Sequence, residues 1–234
     1  MNIIGTGLSG LVGSRVVELL TPDFSFTNLS LETGIDITQK GDVQTRIRQS
    51  DAPWVFHFAA RTDVDGAEKE RTLASRGPTW EANVTATEHV VAACQETGKR
   101  LLFVSTDYVF DGKKDAYTEE DTPNPLSWYA ITKYEGEKRV ATLDDRALII
   151  RIANPYRANP PKPDFVHKIL IHLKKVQTLT APQDQLFVPT FIDEIAYAIK
   201  QLVNIQASGV YHVVGSQSLS PFEAAKKIAK EYAV

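Results

Sequence analysis

Cysteine is nearly missing from this chain: Cys94 is the one thiol in 234 residues. That excludes an internal disulfide and suits a reducing compartment. Cys94 follows the helical, apolar stretch Val90-Val91-Ala92-Ala93, so it reads as a buried structural thiol rather than a nucleophile. Excess charge is also missing. With 26 basic and 29 acidic residues the formal net charge is −3, which provides no electrostatic footprint for nucleic acid or an anionic membrane. No apolar run approaches the length of a membrane span. The first strand begins within five residues of Met1, which leaves no room for a signal peptide. The expectation is a cytoplasmic protein with no membrane or nucleic-acid partner. The histidines, His57, His89, His167, His172 and His212, show no metal-ligand spacing, so no metal is expected.

What is present starts at once. Gly5-Thr6-Gly7-Leu8-Ser9-Gly10-Leu11-Val12-Gly13 follows the apolar Ile3-Ile4. A strand that runs into closely spaced glycines and then a helix is a device for holding a pyrophosphate. Gly7 permits the tight turn, Gly10 lets backbone approach the phosphates, and Gly13 lets the helix pack closely on the strand. The first N–H groups of that helix are unpaired and carry the positive end of its dipole, which favours an anion.

At 43% hydrophobic and 24% charged the composition is that of a globular protein. Apolar runs alternate with amphipathic stretches, as in βαβ units around a parallel sheet. Strands are expected at Asn2–Gly5, Phe24–Asn28, Trp54–Phe58, Leu101–Ser105 and Leu148–Ile152, with helices at Gly10–Leu20, Val43–Gln49, Thr79–Thr97 and Ser127–Thr142. The predicted architecture is α/β, a Rossmann-like doubly wound sheet with a small C-terminal substrate-binding lobe. Ligands in such sheets bind beyond the carboxyl ends of the strands. Residues 1–153 would form the dinucleotide-binding domain and 154–234 mostly the lobe, with 190–214 returning to the core. Four prolines between Asn154 and Asp164 predict loop there. Helices are expected at Phe165–Lys174 and Phe191–Leu202, and a last strand at Gly209–Val214. Ser220-Pro221 reads as the cap and first turn of a final helix.

Two further segments carry chemistry: Ser105-Thr106-Asp107-Tyr108-Val109-Phe110-Asp111-Gly112, straight after a strand, and Tyr129-Ala130-Ile131-Thr132-Lys133 at a helix start. Residues four apart share a helix face. A phenol with a solution pKa of about 10 works as an acid–base group near neutrality only with a cation nearby. Lys133 can supply that cation to Tyr129, and Thr106 can offer a hydroxyl to the same substrate oxygen. Tyr134 and Lys138 have the same spacing but read as a solvated surface pair. Asp107 and Asp111 could equally be turn residues beside Gly112, and for Asp111 that reading is preferred.

With these residues in view, the chain resembles the extended short-chain dehydrogenase/reductases, and among them the dTDP-4-dehydrorhamnose reductase group. The matching segments are Gly7/Gly10/Gly13, Asp36-Ile37-Thr38, Phe58–Asp65, Glu81–Val84, Ser105–Gly112, Tyr117 to Pro125, Tyr129–Lys133, Gly136-Glu137, Asp184-Gln185 with Pro189-Thr190, and Gly209–His212. The resemblance implies NADP or NAD held at Gly7, Gly10, Leu11, Val12 and Gly13. It puts Asp36 and Ile37 beside the adenine, Ala59 and Ala60 at the nicotinamide-side ribose, and Lys133 on the ribose hydroxyls. It makes Thr106, Tyr129 and Lys133 catalytic, with Tyr129 protonating the keto oxygen of a nucleotide-linked 4-keto-6-deoxy sugar. Dehydratases of the superfamily usually carry Asp-Glu after that threonine, whereas Asp107-Tyr108 follows the reductase pattern. Alternatives are a dinucleotide-binding regulatory subunit, like that of methionine adenosyltransferase, and a nucleotide-sugar epimerase. Homodimers are common in the superfamily, so a homodimer is a further expectation. The pattern departs at Phe26-Thr27-Asn28, where neither an acid for a 2′-hydroxyl nor an arginine for a 2′-phosphate stands. Arg61 replaces an aromatic residue, free either to reach a phosphate or to remain solvated. Family members also continue for several tens of residues beyond position 234.

Overall fold

The computed structural model describes residues 1–176 and 178–233. Its centre is a six-stranded sheet in which every neighbouring pair is parallel. Strand β1 (Asn2–Thr6) leads to helix α1 (Leu11–Leu20), β2 (Ser25–Leu29), α2 (Lys40–Gln49) and β3 (Trp54–His57). Next come α3 (Val64–Lys69), α4 (Pro78–Trp80), a π turn (Glu81–Thr85), α5 (Ala86–Thr97), β4 (Arg100–Thr106) and α6 (Trp128–Ala141). The remainder is β5 (Ala147–Ile152), β6 (Pro155–Tyr156), α7 (Phe165–Val176), β7 (Thr190–Phe191), α8 (Ile192–Asn204), β8 (Gly209–His212) and α9 (Pro221–Tyr232). The spatial order is β2-β1-β3-β4-β5-β8. The order reverses between β1 and β3, which is where such sheets open a crevice for ligands. This is the expected Rossmann-like, doubly wound fold.

Successive strand residues face opposite sides of a sheet, and here both sides are covered. Ile3, Trp54, Phe56, Leu102 and Ile150 pack with Val16 and Leu20 of α1 and Ile195 and Ile199 of α8. Ile4, Val55, Leu101, Phe103 and Ile149 pack with Val43 and Ile47 of α2, Val90 of α5 and Val140 of α6. That two-sided burial is why the central strands are apolar throughout rather than alternating.

Several boundaries differ from the sequence reading. Strand β2 starts one residue late because the Phe24 N–H still bonds Leu20 O at the end of α1, at 2.8 Å. Helix α2 begins three residues earlier than expected, at Lys40. The single helix expected over 79–97 is interrupted by the π turn around Asn83. Helix α3 was not anticipated; Asp63 caps it by accepting the Gly66 N–H at 3.1 Å. The proline-rich segment is not all loop. Pro155 and Tyr156 pair in parallel with Thr190 and Phe191, and proline at the first position of a two-residue strand forfeits little of the ladder. Phe191 is accordingly strand, and α8 starts at Ile192. The last strand ends at His212, although Val213 N–H still donates to Arg151 O at 2.9 Å. Helix α9 carries the expected Ser220 cap, with Glu223 Oε2 accepting the Ser220 N–H at 2.8 Å in return.

Leu102 is fully buried in the central strand β4. Leu102→Ala is expected to lower unfolding free energy by about 2–5 kcal/mol in urea titrations. Leu31→Ala, at a residue 76% exposed, should stay within about 0.5 kcal/mol of the parent.

Candidate functional site

The site is assembled where β1, β3 and β4 end and where α1 and α6 begin. Gly7 has φ of +68°, and a Cβ there would lie 2.4 Å from Ala59 N. A Cβ on Gly13 would lie 2.4 Å from Gly7 O. The β1–α1 turn, the first turn of α1 and the end of β3 therefore meet backbone to backbone, and any side chain would force them apart. Gly10 is the N-cap of α1; no side chain caps it and the first turn has no acidic residue. The N–H groups of Leu11, Val12 and Gly13 thus face the crevice mouth with the positive end of the helix dipole.

Helix α6 carries the second half. Ser127 caps it by accepting the Ala130 N–H at 3.2 Å, and the Trp128 N–H donates to Glu68 Oε2 of α3 at 2.8 Å. Trp128 also stacks on Trp80 of α4, with ring centroids 5.7 Å apart. These contacts set the start of α6 so that Tyr129 and Lys133 turn inward, 9% and 3% exposed. Thr106, at the end of β4, donates from its hydroxyl to Asp107 Oδ1 at 3.1 Å and accepts the Tyr108 N–H at 3.2 Å. Tyr108 packs edge-on to Tyr129 at 6.1 Å.

Burial dominates the electrostatics. It pushes the Tyr129 phenol well above its ordinary value; the Thr106 hydroxyl pulls it back, and Asp107 and Tyr108 add to the rise. Burial brings Lys133 down to about 7, opposed by the negative charge of Glu137. The Lys133 ammonium lies 4.0 Å from the centre of the Phe103 ring and has no hydrogen-bond partner among the described residues. Asp107 is raised to about 6 by burial, against hydrogen bonds from Thr106 and from backbone. His57 is lowered to about 3 by burial and by the charge of Lys133. Its tautomer follows from its partners. The Thr87 hydroxyl donates to Asn83 O at 2.8 Å, so it accepts from His57 Nε2–H at 3.0 Å, leaving Nδ1 to accept from the Thr6 hydroxyl at 2.6 Å.

The structure brings Thr106, Tyr129 and Lys133 to one side of the crevice, and Gly7, Gly10, Leu11, Val12, Gly13 and Ala59 to the other. Ala59 and Ala60 are half-buried at the end of β3. Asp36 and Ile37 lie between β2 and α2, away from the three α6-side residues. The Asp36 carboxylate accepts from Thr38 N at 2.9 Å and Thr38 Oγ1 at 2.8 Å, while Ile37 O bonds His89 Nδ1 at 3.2 Å. Arg61 pairs with Glu70 at 2.9 Å. Tyr134 and Lys138 form the expected outer pair, the Lys138 ammonium 4.7 Å from the ring centre. Asp111 is a turn residue, accepting from Tyr117 Oη at 2.5 Å, Asn124 Nδ2 at 3.0 Å and Lys113 N at 3.1 Å. A cavity of about 540 Å³ opens beyond Asp107 and Tyr108, walled by Asn154, Phe165, Asp184 and Gln185. Among the described residues no group of three or more His, Cys, Asp or Glu is placed to hold a metal ion, and no helix is long and apolar enough to cross a membrane.

A family model described as "RmlD substrate binding domain" matches residues 1–234. The chain belongs to the RmlD substrate binding domain family. The dTDP-4-dehydrorhamnose reductase of Mycobacterium tuberculosis is 30% identical over 235 residues, covering 98% of this chain and 75% of that protein. Among solved structures, the dTDP-4-dehydrorhamnose reductase of Bacillus anthracis in complex with NADP superposes with a TM-score of 0.91 at 31% identity, covering all of this chain and 81% of that one. Methionine adenosyltransferase 2 subunit beta of Xenopus tropicalis is 27% identical, covering 93% of this chain and 68% of that protein.

Three residues to which the sequence assigned no role of their own also shape the site. His57 ties β3 to β1 and α5. Glu137 forms a buried pair with Arg151 (2.9 and 2.7 Å). Asn83 accepts the Arg61 N–H at 2.8 Å and donates to Arg61 O at 3.1 Å and to Thr132 Oγ1 at 3.0 Å. It thereby fastens the loop after β3 to α6; its place in the segment Glu81-Ala82-Asn83-Val84 was the only available signal.

A histidine held neutral in the fold but able to protonate when unfolded removes stability as pH falls. For His57 the window runs from its ordinary value near 6.5 down to about 3. Asp107, raised to about 6, acts with the opposite sign over an overlapping window. The comparison is therefore between variants: urea midpoints of His57→Gln should fall less steeply between pH 7 and pH 4 than those of the parent. Parallel slopes would contradict the assignment.

Proposed function

We propose that this chain is an NADPH- or NADH-dependent reductase of dTDP-4-dehydrorhamnose or a closely related nucleotide-linked 4-keto-6-deoxy sugar. The carrying observation is that Thr106, Tyr129 and Lys133 converge beside the Gly7–Ala59 crevice in a chain whose relatives are reductases. A dinucleotide fits this crevice: the close backbone approach at Gly7 and Gly13 and the uncapped start of α1 make a cradle for its pyrophosphate. Gly7, Gly10, Leu11, Val12 and Gly13 would hold that pyrophosphate. Asp36 and Ile37 would border the adenine, and Ala59, Ala60 and Lys133 the nicotinamide-side ribose. When bound, the cofactor supplies a hydride to the sugar carbon.

The protein's own part is acid–base chemistry. Tyr129 Oη gives its proton to the keto oxygen as negative charge develops there, and the Thr106 hydroxyl orients that oxygen. A buried phenolate is costly, which is the meaning of the raised Tyr129; the Thr106 hydroxyl opposes that rise, and in this reading the Lys133 cation, one helical turn away, would add to the offset. The cavity beyond Asp107 and Tyr108 would take the sugar and its nucleotide. A homodimer and a cytoplasmic location complete this reading on the habit of the family, and light scattering tests the first.

The regulatory reading has the adenosyltransferase beta subunits in its favour, but leaves an intact catalytic trio without work. Loss of NADPH absorbance with dTDP-4-dehydrorhamnose separates the two. Turnover by the parent protein is expected, with Tyr129→Phe reducing kcat by about 10²–10⁴-fold and leaving NADPH binding in fluorescence titrations unchanged. Undiminished turnover in that variant would falsify the role of Tyr129. Bound nucleotide without turnover, together with a co-purifying enzyme, would favour the regulatory subunit.

A further inference from the structure

Beneath α6 lies a charged pair that the reading above does not use. Arg151 on β5 and Glu137 on α6 are joined by two hydrogen bonds, Nε to Oε1 at 2.9 Å and Nη2 to Oε2 at 2.7 Å, with side chains 5% and 4% exposed. Such a pair is a poor stabiliser, because desolvating both ions roughly offsets their attraction. Its location suggests another use. Glu137 stands one helical turn after Lys133, on the same inward face, and its charge acts on that lysine.

We propose that the Glu137–Arg151 pair is a positioning device that keeps Lys133 cationic while leaving its ammonium hydrogens uncommitted. This rests on the role of Lys133 given under Proposed function. The argument is geometric. Both Glu137 oxygens face Arg151, and among the described residues Glu137 makes no salt bridge to Lys133 that would occupy the donors a ribose needs. Its field still reaches one turn along the helix. Arg151 is itself held in place, 5.1 Å from the centre of the Phe110 ring, 3.4 Å from His212 Nε2, and in register with Ser105 and His212 on the neighbouring strands. It cannot follow Glu137 away from the sheet without breaking these contacts.

The titratable or charged groups facing this region come from every packed element. They are Tyr129 and Glu137 from α6, His57 from β3, Arg151 from β5, Asp107 from the turn after β4, and, around Arg151, His212 from β8 with Glu119, which accepts the His212 N–H at 2.9 Å. His57 is neutral and adds no favourable charge, and of the carboxylates here it is Glu137 whose charge acts on Lys133. Glu137 is therefore the anion placed to sustain the Lys133 charge.

The test reads Lys133 directly. The Lys133 ¹³Cε resonance, assigned with Lys133→Arg, is titrated by NMR in the ligand-free protein. Glu137→Gln leaves Arg151 uncompensated and should move the midpoint down by roughly one pH unit or more. Glu137→Gln/Arg151→Met removes both charges at similar volume; it should melt higher than the single variant and titrate between it and the parent. If the single variant does not fold, the double variant alone decides: a midpoint below the parent supports the proposal. A midpoint equal to or above the parent in a folded variant would overturn it, since a merely structural pair would change melting and leave Lys133 unmoved. Where turnover is measurable, the alkaline limb of kcat/KM should shift in the same order. Absence of turnover in the parent would count against the reductase reading, while the NMR result would stand on its own.

Discussion

Backbone contact between the β1–α1 turn and the end of β3 is the constraint on which the rest of the site depends. No side chain fits at Gly7 or Gly13, because the space a Cβ would take is already filled by Ala59 N or Gly7 O. The contact brings the start of α1, with its unpaired N–H groups, level with the loop that carries Ala59 and Ala60. It falls at the one place where the strand order reverses, so the sheet itself keeps the crevice open. Helix α1 is then held at its outer side. Arg15 reaches Asp193 of α8 at 2.7 and 2.6 Å, and Glu18 receives Arg157 at 2.9 and 2.7 Å. The helix that meets the anion is thus braced by α8 and by the residue that follows β6.

Across the crevice a different economy operates. The inward face of α6 includes Tyr129, Thr132, Lys133, Gly136 and Glu137 among its buried residues, an unusual face for a helix packed on a sheet. Burial works against each charge there, and the structure answers with local partners instead of solvent. Thr132 donates to Tyr129 O at 2.7 Å and accepts from Asn83, and Glu137 is matched by Arg151. The Phe103 ring supplies a polarisable floor for the Lys133 ammonium.

Much of this was legible in the sequence wherever the signal is local. The glycine spacing gave the turn, the apolar run 101–104 gave the central strand, and the offset of four gave the shared face of Tyr129 and Lys133. The Tyr134–Lys138 pair was separable from it because position after a proline-flanked helix start distinguishes the two. What could not be read depends on pairs distant in the chain. His57 bonds Thr6 across 51 positions, Asn83 bonds Arg61 across 22, and Arg151 meets Glu137 only because β5 lies beneath α6. Strand β6 was hidden for the opposite reason: its local signal, proline, argues for loop, and only the partner strand at Thr190–Phe191 overrides it.

These distant pairs share a direction. His57 has both ring nitrogens engaged, Asn83 uses its carbonyl oxygen and both amide hydrogens, and Glu137 gives both oxygens to Arg151. With those neighbours satisfied among themselves, two sets of donors stay open beside the crevice, the first N–H groups of α1 and the ammonium of Lys133, while Ser105 Oγ and Trp128 Nε1 are also buried without a partner among the described residues. An elongated anionic ligand with hydroxyl groups some way from its phosphates would meet both sets at once. The buried polar network is thus not incidental to the binding surface; by pairing His57, Asn83 and Glu137 with other protein groups, it leaves the α1 N–H groups and the Lys133 ammonium to that surface.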